Sequence, residues 1–233
     1  MGRFKLCITK PFEPPSAECS LVVFSGKNKF ADDENIRQYI DNCCEYAKQF
    51  KVYLVPERFV LSDYITMCLI NSKGCIEGTQ QAIHLNLSYK SKYNKGDAVN
   101  VFETPFGNIF LCVDVDIYKP EVLRTAAAKN AQIVVSSQFI LDCDYDFNKI
   151  YFGAYNAALS NGFFVINTNN NTSSVIGPVL SDENDGFAVA PMRRLPITAT
   201  LNTDYLQKFK FADSIFESIN RQICSKYSNK LWR

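Results

Sequence analysis

Apolar residues along the chain fall into short continuous runs broken by a few longer helical patterns. Phe4–Thr9 and Ser20–Phe24 (SLVVF) read as strands. The second is continuous rather than alternating, which predicts burial on both faces. Pro11-Phe-Glu-Pro-Pro-Ser lies between them and leaves no room for a full helix. Asp32-Asp33-Glu34 then opens a helix in which Ile36, Tyr39, Ile40, Cys43, Ala47 and Phe50 share one face.

Further strands are expected over Val52–Val55 and Ile65–Asn71, with Ser72-Lys73-Gly74 turning into Cys75–Gly78. Val99–Glu103 and Asn108–Val115 form another hairpin around Thr104-Pro105-Phe106-Gly107. Pro120 suits the first turn of a helix over Glu121–Lys129, ended by Asn130. Next come a strand at Gln132–Ser136, a helix over Phe147–Asn161 stopping at Gly162, and a strand at Phe163–Thr168. Thr172–Pro178, Gly186–Val189 and Ile197–Leu201 read as closing strands, followed by a terminal helix over Asp204–Lys226. Phe209, Phe216 and Trp232 there are read as core or subunit-contact residues. Hairpins beside crossover helices imply sheets with helices packed on one face, an α/β (α+β) class, in one domain spanning 1–233.

Composition narrows the partners. Twenty-five Lys and Arg against 24 Asp and Glu leave a net charge of +1, so nothing argues for nucleic acid or an anionic membrane surface. No segment reads as a signal peptide or a membrane span. Nine cysteines without a C-x-x-C spacing, and a single histidine, His84, support neither a disulfide framework nor a metal site. Reduced thiols and a cytoplasmic location are the simpler expectation.

Four runs, taken in order, resemble motifs of the nitrilase, or carbon–nitrogen hydrolase, superfamily: ITMCLINSKGCIEGTQQAIHL, FETPFGNIFLCVDVDIYKPEVLR, AAAKNAQIVVSSQFI and NAALSNGFFVINTNN. The resemblance covers about half of the chain, from Tyr64 to Asn169. It implies a four-layer αββα sandwich, shortened here at the N-terminus, commonly a homodimer joined sheet to sheet. It also implies hydrolysis or acyl transfer at amide or nitrile C–N bonds by a Glu–Lys–Cys set, with no metal or organic cofactor. In such a set a thiolate attacks the carbonyl carbon, a carboxylate shuttles protons and an ammonium stabilises the oxyanion.

Anchored on Gly107, Asp116, Pro120, Glu121 and Arg124, the resemblance puts Asp114 at the nucleophile position. Anchored on His84-Leu85 it puts Ala82 at the lysine position, and the end of SLVVFSG puts Gly26 at the glutamate position. A carboxylate is a poor nucleophile toward an unactivated amide, because the resulting anhydride expels carboxylate faster than amine. Alanine offers no charge and glycine accepts no proton. Asp114 is expected on a strand-to-helix elbow, its charge held by backbone amides there.

Substitutes can be named. Cys112 lies two residues before Asp114 and is expected on the same strand face; Glu57 ends the run LVPE; Lys90 sits in a basic loop. Bland readings stand beside them: a buried small hydrophobe for Cys112, a different strand for Glu57, a solvated loop for Lys90 and a hydrogen-bonded structural role for His84. Two functions follow. One is a scaffold that has lost Cys-dependent chemistry and binds a small amide or carboxylate ligand, or a protein partner. The alternative is an active hydrolase of non-peptide C–N bonds using the substitutes.

Overall fold

The structure is a computed structural model that describes residues 2–25, 33–138, 147–169, 173–178, 185–191 and 195–209. Gly26, Phe216, Trp232 and most of the expected terminal helix lie outside the described residues.

Among the described residues, thirteen strands fall into two sheets. β1 (Arg3–Thr9), β2 (Leu21–Phe24) and β3 (Tyr53–Val55) run parallel, with helix α1 (Asp33–Phe50) crossing between β2 and β3. β4 (Phe59–Leu61), β5 (Tyr64–Ile70) and β6 (Ile76–Gln81) follow as antiparallel hairpins. The last strand, β13 (Ile197–Asn202), closes the other edge against β1. This first sheet has the order β13-β1-β2-β3-β5-β4, with β6 also paired to β5.

The second sheet contains β7 (Val101–Phe102), β8 (Ile109–Val113), β9 (Ile133–Gln138), β10 (Phe164–Asn169), β11 (Ser173–Ile176) and β12 (Phe187–Val189). Its order is β12-β11-β10-β9-β8-β7, and β8, β9 and β10 are parallel. Helix α2 (Pro120–Ala128) joins β8 to β9, and α3 (Phe147–Asn161) precedes β10.

The continuous apolar runs are explained by cover on both faces. In β1 and β2, Leu6, Ile8, Leu21 and Val23 point into the layer between the sheets. Cys7, Val22 and Phe24 point to α1. In β8, Ile109, Leu111 and Val113 join the layer between the sheets, whereas Phe110 and Cys112 pack with residues of α2 and α3. Three apolar layers separate four layers of structure, α1, sheet, sheet and α2/α3, which is the αββα sandwich. Each sheet presents its parallel strand ends to the same region, where Ser25, Arg58, Asp114, Gln138 and Asn169 cluster as buried polar residues.

Two sequence expectations change. β4 was not marked by the pattern, because it is only three residues long and returns through a two-residue turn, Ser62-Asp63, without a glycine. Where the terminal helix was expected to begin, Thr203–Phe209 form a 3-10 helix. Thr203 explains its tight start: its hydroxyl donates to the Phe106 carbonyl at 2.6 Å and its amide to the Gly2 carbonyl at 2.8 Å, which fixes the chain as it leaves β13.

Candidate functional site

β8 delivers its alternating residues up to Val113 and then turns sharply. Asp114, the first residue of a 3-10 turn over Asp114–Tyr118, has φ of 53°. A non-glycine residue in this left-handed region is strained by about 1–2 kcal/mol, and such strain collects at sites where a side chain must be aimed. Here it aims the Asp114 carboxylate across the sandwich. Arg58, the residue immediately before β4, meets it with Nη1 3.0 Å from Oδ1. The two side chains are 0% and 3% exposed, so the ion pair is sealed from water.

Burial pulls the Arg58 guanidinium below its usual range, and Asp114, Tyr89 and Glu57 oppose that shift. The partner of the elbow carboxylate is thus a cation from the opposite sheet. Two residues on, Asp116 is held by backbone amides from the chain after β6. Asp116 accepts hydrogen bonds from the Ile83 amide at 2.8 Å and the His84 amide at 2.9 Å, with His84 Nδ1 also 2.9 Å away. On its other side the imidazole Nε2 lies 3.3 Å from Glu121 of α2. Burial pushes the Asp116 carboxyl up, while those amides and the imidazole hold it down.

Asp116 therefore ties the chain just after β6 to the elbow, and this places Ala82 beside it. The Ala82 methyl is fully buried in the layer between the sheets. Its amide donates to the Ile65 carbonyl at 2.8 Å, so the backbone there is committed to the sheet. Next to Gly26, the Ser25 hydroxyl lies 3.1 Å from that of Ser173 and 3.4 Å from the Asn169 carbonyl, joining the end of β2 to the β10–β11 hairpin.

The three substitutes are not brought together. Cys112 is fully buried on the α2/α3 side of its sheet, among Val122, Ala126 and Ala154. The shared face expected with Asp114 is lost because the left-handed turn swings the aspartate toward the other sheet. Burial, then the charges of Asp116 and Asp114, push the Cys112 thiol well above its usual range. Lys90 is exposed, just after a 3-10 turn over Leu87–Tyr89. Glu57 does reach the region, as the neighbour of Arg58. Burial pushes its carboxyl up to about 6, against the pull of Arg58. Its buried Oε1 accepts no hydrogen bond among the described residues, and its amide donates to the Tyr39 hydroxyl at 3.2 Å.

Arg58 is the site residue that the sequence reading passed over. Its one signal was a cation directly before the short apolar run FVL, where a strand buried on both sides should carry none. Among the described residues no group of His, Cys, Asp and Glu is arranged to hold a metal ion, and no helix is long and apolar enough to cross a membrane.

Residues 18–187 match the family model described as carbon-nitrogen hydrolase. This chain belongs to the carbon–nitrogen hydrolase family. The matched span holds both members of the buried ion pair and ends at the first residue of β12. No curated protein matches the chain. Solved structures do. A carbon-nitrogen hydrolase from Helicobacter pylori G27 is 15% identical, covering 100% of this chain and 99% of its own with a TM-score of 0.77. An amidase from Nesterenkonia sp. is 17% identical over 89% of this chain and 94% of its own, with a TM-score of 0.71. A mutant of the amidase from Nesterenkonia sp. AN1 shows covalent addition of the acetamide moiety of fluoroacetamide at its active site cysteine. That mutant is 16% identical over 93% of this chain and 97% of its own, with a TM-score of 0.71. At these identities the likeness establishes the fold. Within this member of the carbon–nitrogen hydrolase family, the elbow residue is an aspartate bound to a buried arginine.

Proposed function

We propose that this chain keeps the carbon–nitrogen hydrolase scaffold, has lost thiol-dependent acyl transfer, and acts as a binding or interaction protein. The observation that carries this reading is the Arg58–Asp114 ion pair at the end of β8. A nucleophile must be free to approach a carbonyl carbon and must leave its charge behind in doing so. Asp114 is a weak nucleophile to begin with, and its charge is engaged by a cation in a water-free setting. Ala82 supplies no ammonium at the position that the family resemblance assigns to lysine, and Gly26 no carboxylate at the position of glutamate.

The alternative is an active hydrolase of non-peptide C–N bonds. Glu57, pushed up to about 6, has the proton affinity of a general base at neutral pH, which is the feature in its favour. Against it, Cys112 faces the helices and Lys90 faces solvent. Small amides remain the first ligands to try, because structural neighbours handle them, with small carboxylates next. A homodimer is the expected assembly.

The test is a panel of small amides, nitriles and N-carbamoyl compounds offered to the purified chain, followed by intact-mass measurement. The expected result is no turnover and no acyl adduct, with a small amide or carboxylate raising the melting temperature without being consumed. Turnover abolished by thiol alkylation, or an adduct trapped on any residue, would overturn the proposal in favour of the hydrolase.

A further inference from the structure

The edge of the first sheet at β13 carries a feature unrelated to the strand-end site. β13 pairs with β1 on one side, and among the described residues no strand pairs with its other side. The ladder fixes where its backbone groups point. The Thr203 amide donates to the Gly2 carbonyl at 2.8 Å, one step beyond the Arg3–Asn202 pair, and bonded and non-bonded pairs alternate along an antiparallel ladder. Leu201, Ala199 and Ile197 therefore bond to β1, whereas Asn202, Thr200 and Thr198 turn their amides and carbonyls away from it. The Lys5 and Thr9 carbonyls of β1 agree, since they accept from Ser20 and Ser25 on the β2 side. Thr198, Thr200 and Asn202 are exposed, and β13 has neither the lysine nor the proline that commonly blunts an open edge. Two cavities open here and share Phe187 and Ala188 of β12. One of about 420 Å³ is lined by Asp185, Val189, Pro196, Ile197 and Thr198. Phe164, Gly177, Leu201, Asn202 and Tyr205 line the other, of about 260 Å³.

We propose that this edge is a strand-addition site, which takes an extended peptide segment of another protein running antiparallel to β13. Outward amides and carbonyls recurring every second residue select an extended backbone over a helix, whose own groups are already paired. Side chains on the inner face of the added strand fall at alternate positions, and those opposite Ile197 and Leu201 meet the two cavities. The cavity beside Leu201 is lined mainly by apolar side chains and glycine, so it fits an apolar residue such as leucine. The cavity beside Ile197 combines apolar walls with the exposed carboxylate of Asp185, so it fits lysine or arginine. The stem of that residue would cover Val189 and Pro196 while its cation meets Asp185. Asp185 is already fixed in place, since its Oδ1 accepts from the Phe187 amide at 2.9 Å. Between the two cavities, opposite Ala199, a small residue fits. The site does not depend on whether the Arg58–Asp114 end of the molecule has lost acyl transfer.

The probe is a labelled heptapeptide, acetyl-Thr-Leu-Thr-Ala-Thr-Lys-Thr-amide, titrated into the full chain and followed by fluorescence anisotropy. Saturable binding is expected, with slowed hydrogen exchange at the Thr198 and Thr200 amides. Methylating the backbone nitrogens of the third and fifth peptide residues removes the two donors that face β13, without touching the chain. That peptide should bind at least about tenfold more weakly. Thr200→Pro removes an outward amide that β1 does not use, so the melting temperature should stay within a few degrees while the peptide is lost. Asp185→Asn keeps the acceptor for Phe187 and removes the charge, so it should weaken the lysine peptide several-fold and spare one with norleucine in that place. No saturable binding, or equal binding of the methylated peptide, would overturn the proposal. So would Thr198 and Thr200 amides already protected in the peptide-free chain, whether by its own terminal segment or, where protection grows with concentration, by a second copy.

Discussion

Arg58 and Asp114 carry opposite charges, 3.0 Å apart and sealed from water. Arg58→Ala should destabilise the fold by about 3–5 kcal/mol, since it removes the cation that faces a buried carboxylate. Arg58→Met with Asp114→Leu should recover most of that loss, because an apolar pair of similar volume leaves no buried charge. Urea unfolding of the three variants checks the ordering. If Arg58→Ala is as stable as the double variant, the pair does not carry the site. Glu57 makes a separate prediction. Its carboxyl is raised from 4.5 to about 6 in the folded chain, so between those values the folded state holds a proton that the unfolded state has lost. Its contribution is therefore present below pH 4.5 and fades as pH rises through 6, by about 2 kcal/mol at most. Glu57→Gln should flatten the stability profile in that window. At this scale the sequence pointed to Asp114 and Ala82 as positions to inspect, since both stand within ordered motifs. It did not reveal Arg58, whose partner is far along the chain and is reached only because Asp114 adopts a left-handed backbone.

Helices and long strands were legible because their patterns are strong. The Phe147–Asn161 helix is bounded by residues the sequence already marked, and Gly162 follows it with φ of 68°. β4 escaped because Ser62 and Asp63 make a two-residue hairpin turn with φ of 50° and 65°, conformations usually advertised by Asn-Gly. Ser62→Asn with Asp63→Gly should therefore stabilise the chain by about 0.5–1 kcal/mol, as the left-handed strain at both positions is relieved. Thermal unfolding reads this directly, and a loss of stability would mean that the Ser62 or Asp63 side chain matters more than the backbone. The link between β6 and the elbow is open to a similar check. Asp116→Ala removes the acceptor of two backbone amides and should destabilise by about 2–4 kcal/mol. Hydrogen exchange should then speed up at Ile83 and His84 ahead of the rest of the sheet.

For the whole molecule, the layer order was readable from the mixture of hairpins and crossovers and from the resemblance, whereas for assembly the resemblance alone offers an expectation. One surface supports the homodimer reading. Phe152 and Leu159, seven residues apart on α3, are 59% and 41% exposed. Phe152→Asp with Leu159→Asp should give a soluble chain that sediments as a monomer where the unaltered chain sediments as a dimer. An unchanged sedimentation coefficient would move the contact elsewhere.

The ion pair between the sheets also constrains how its two positions can be altered by mutation. Each charge sits sealed from solvent against the other, with Glu57 next to Arg58. An exchange at position 58 or 114 by itself leads through a less stable intermediate, so single-step routes toward or away from this arrangement are narrow. Paired exchanges are the open ones, and a library randomising both codons together should recover folded variants that neither single library contains.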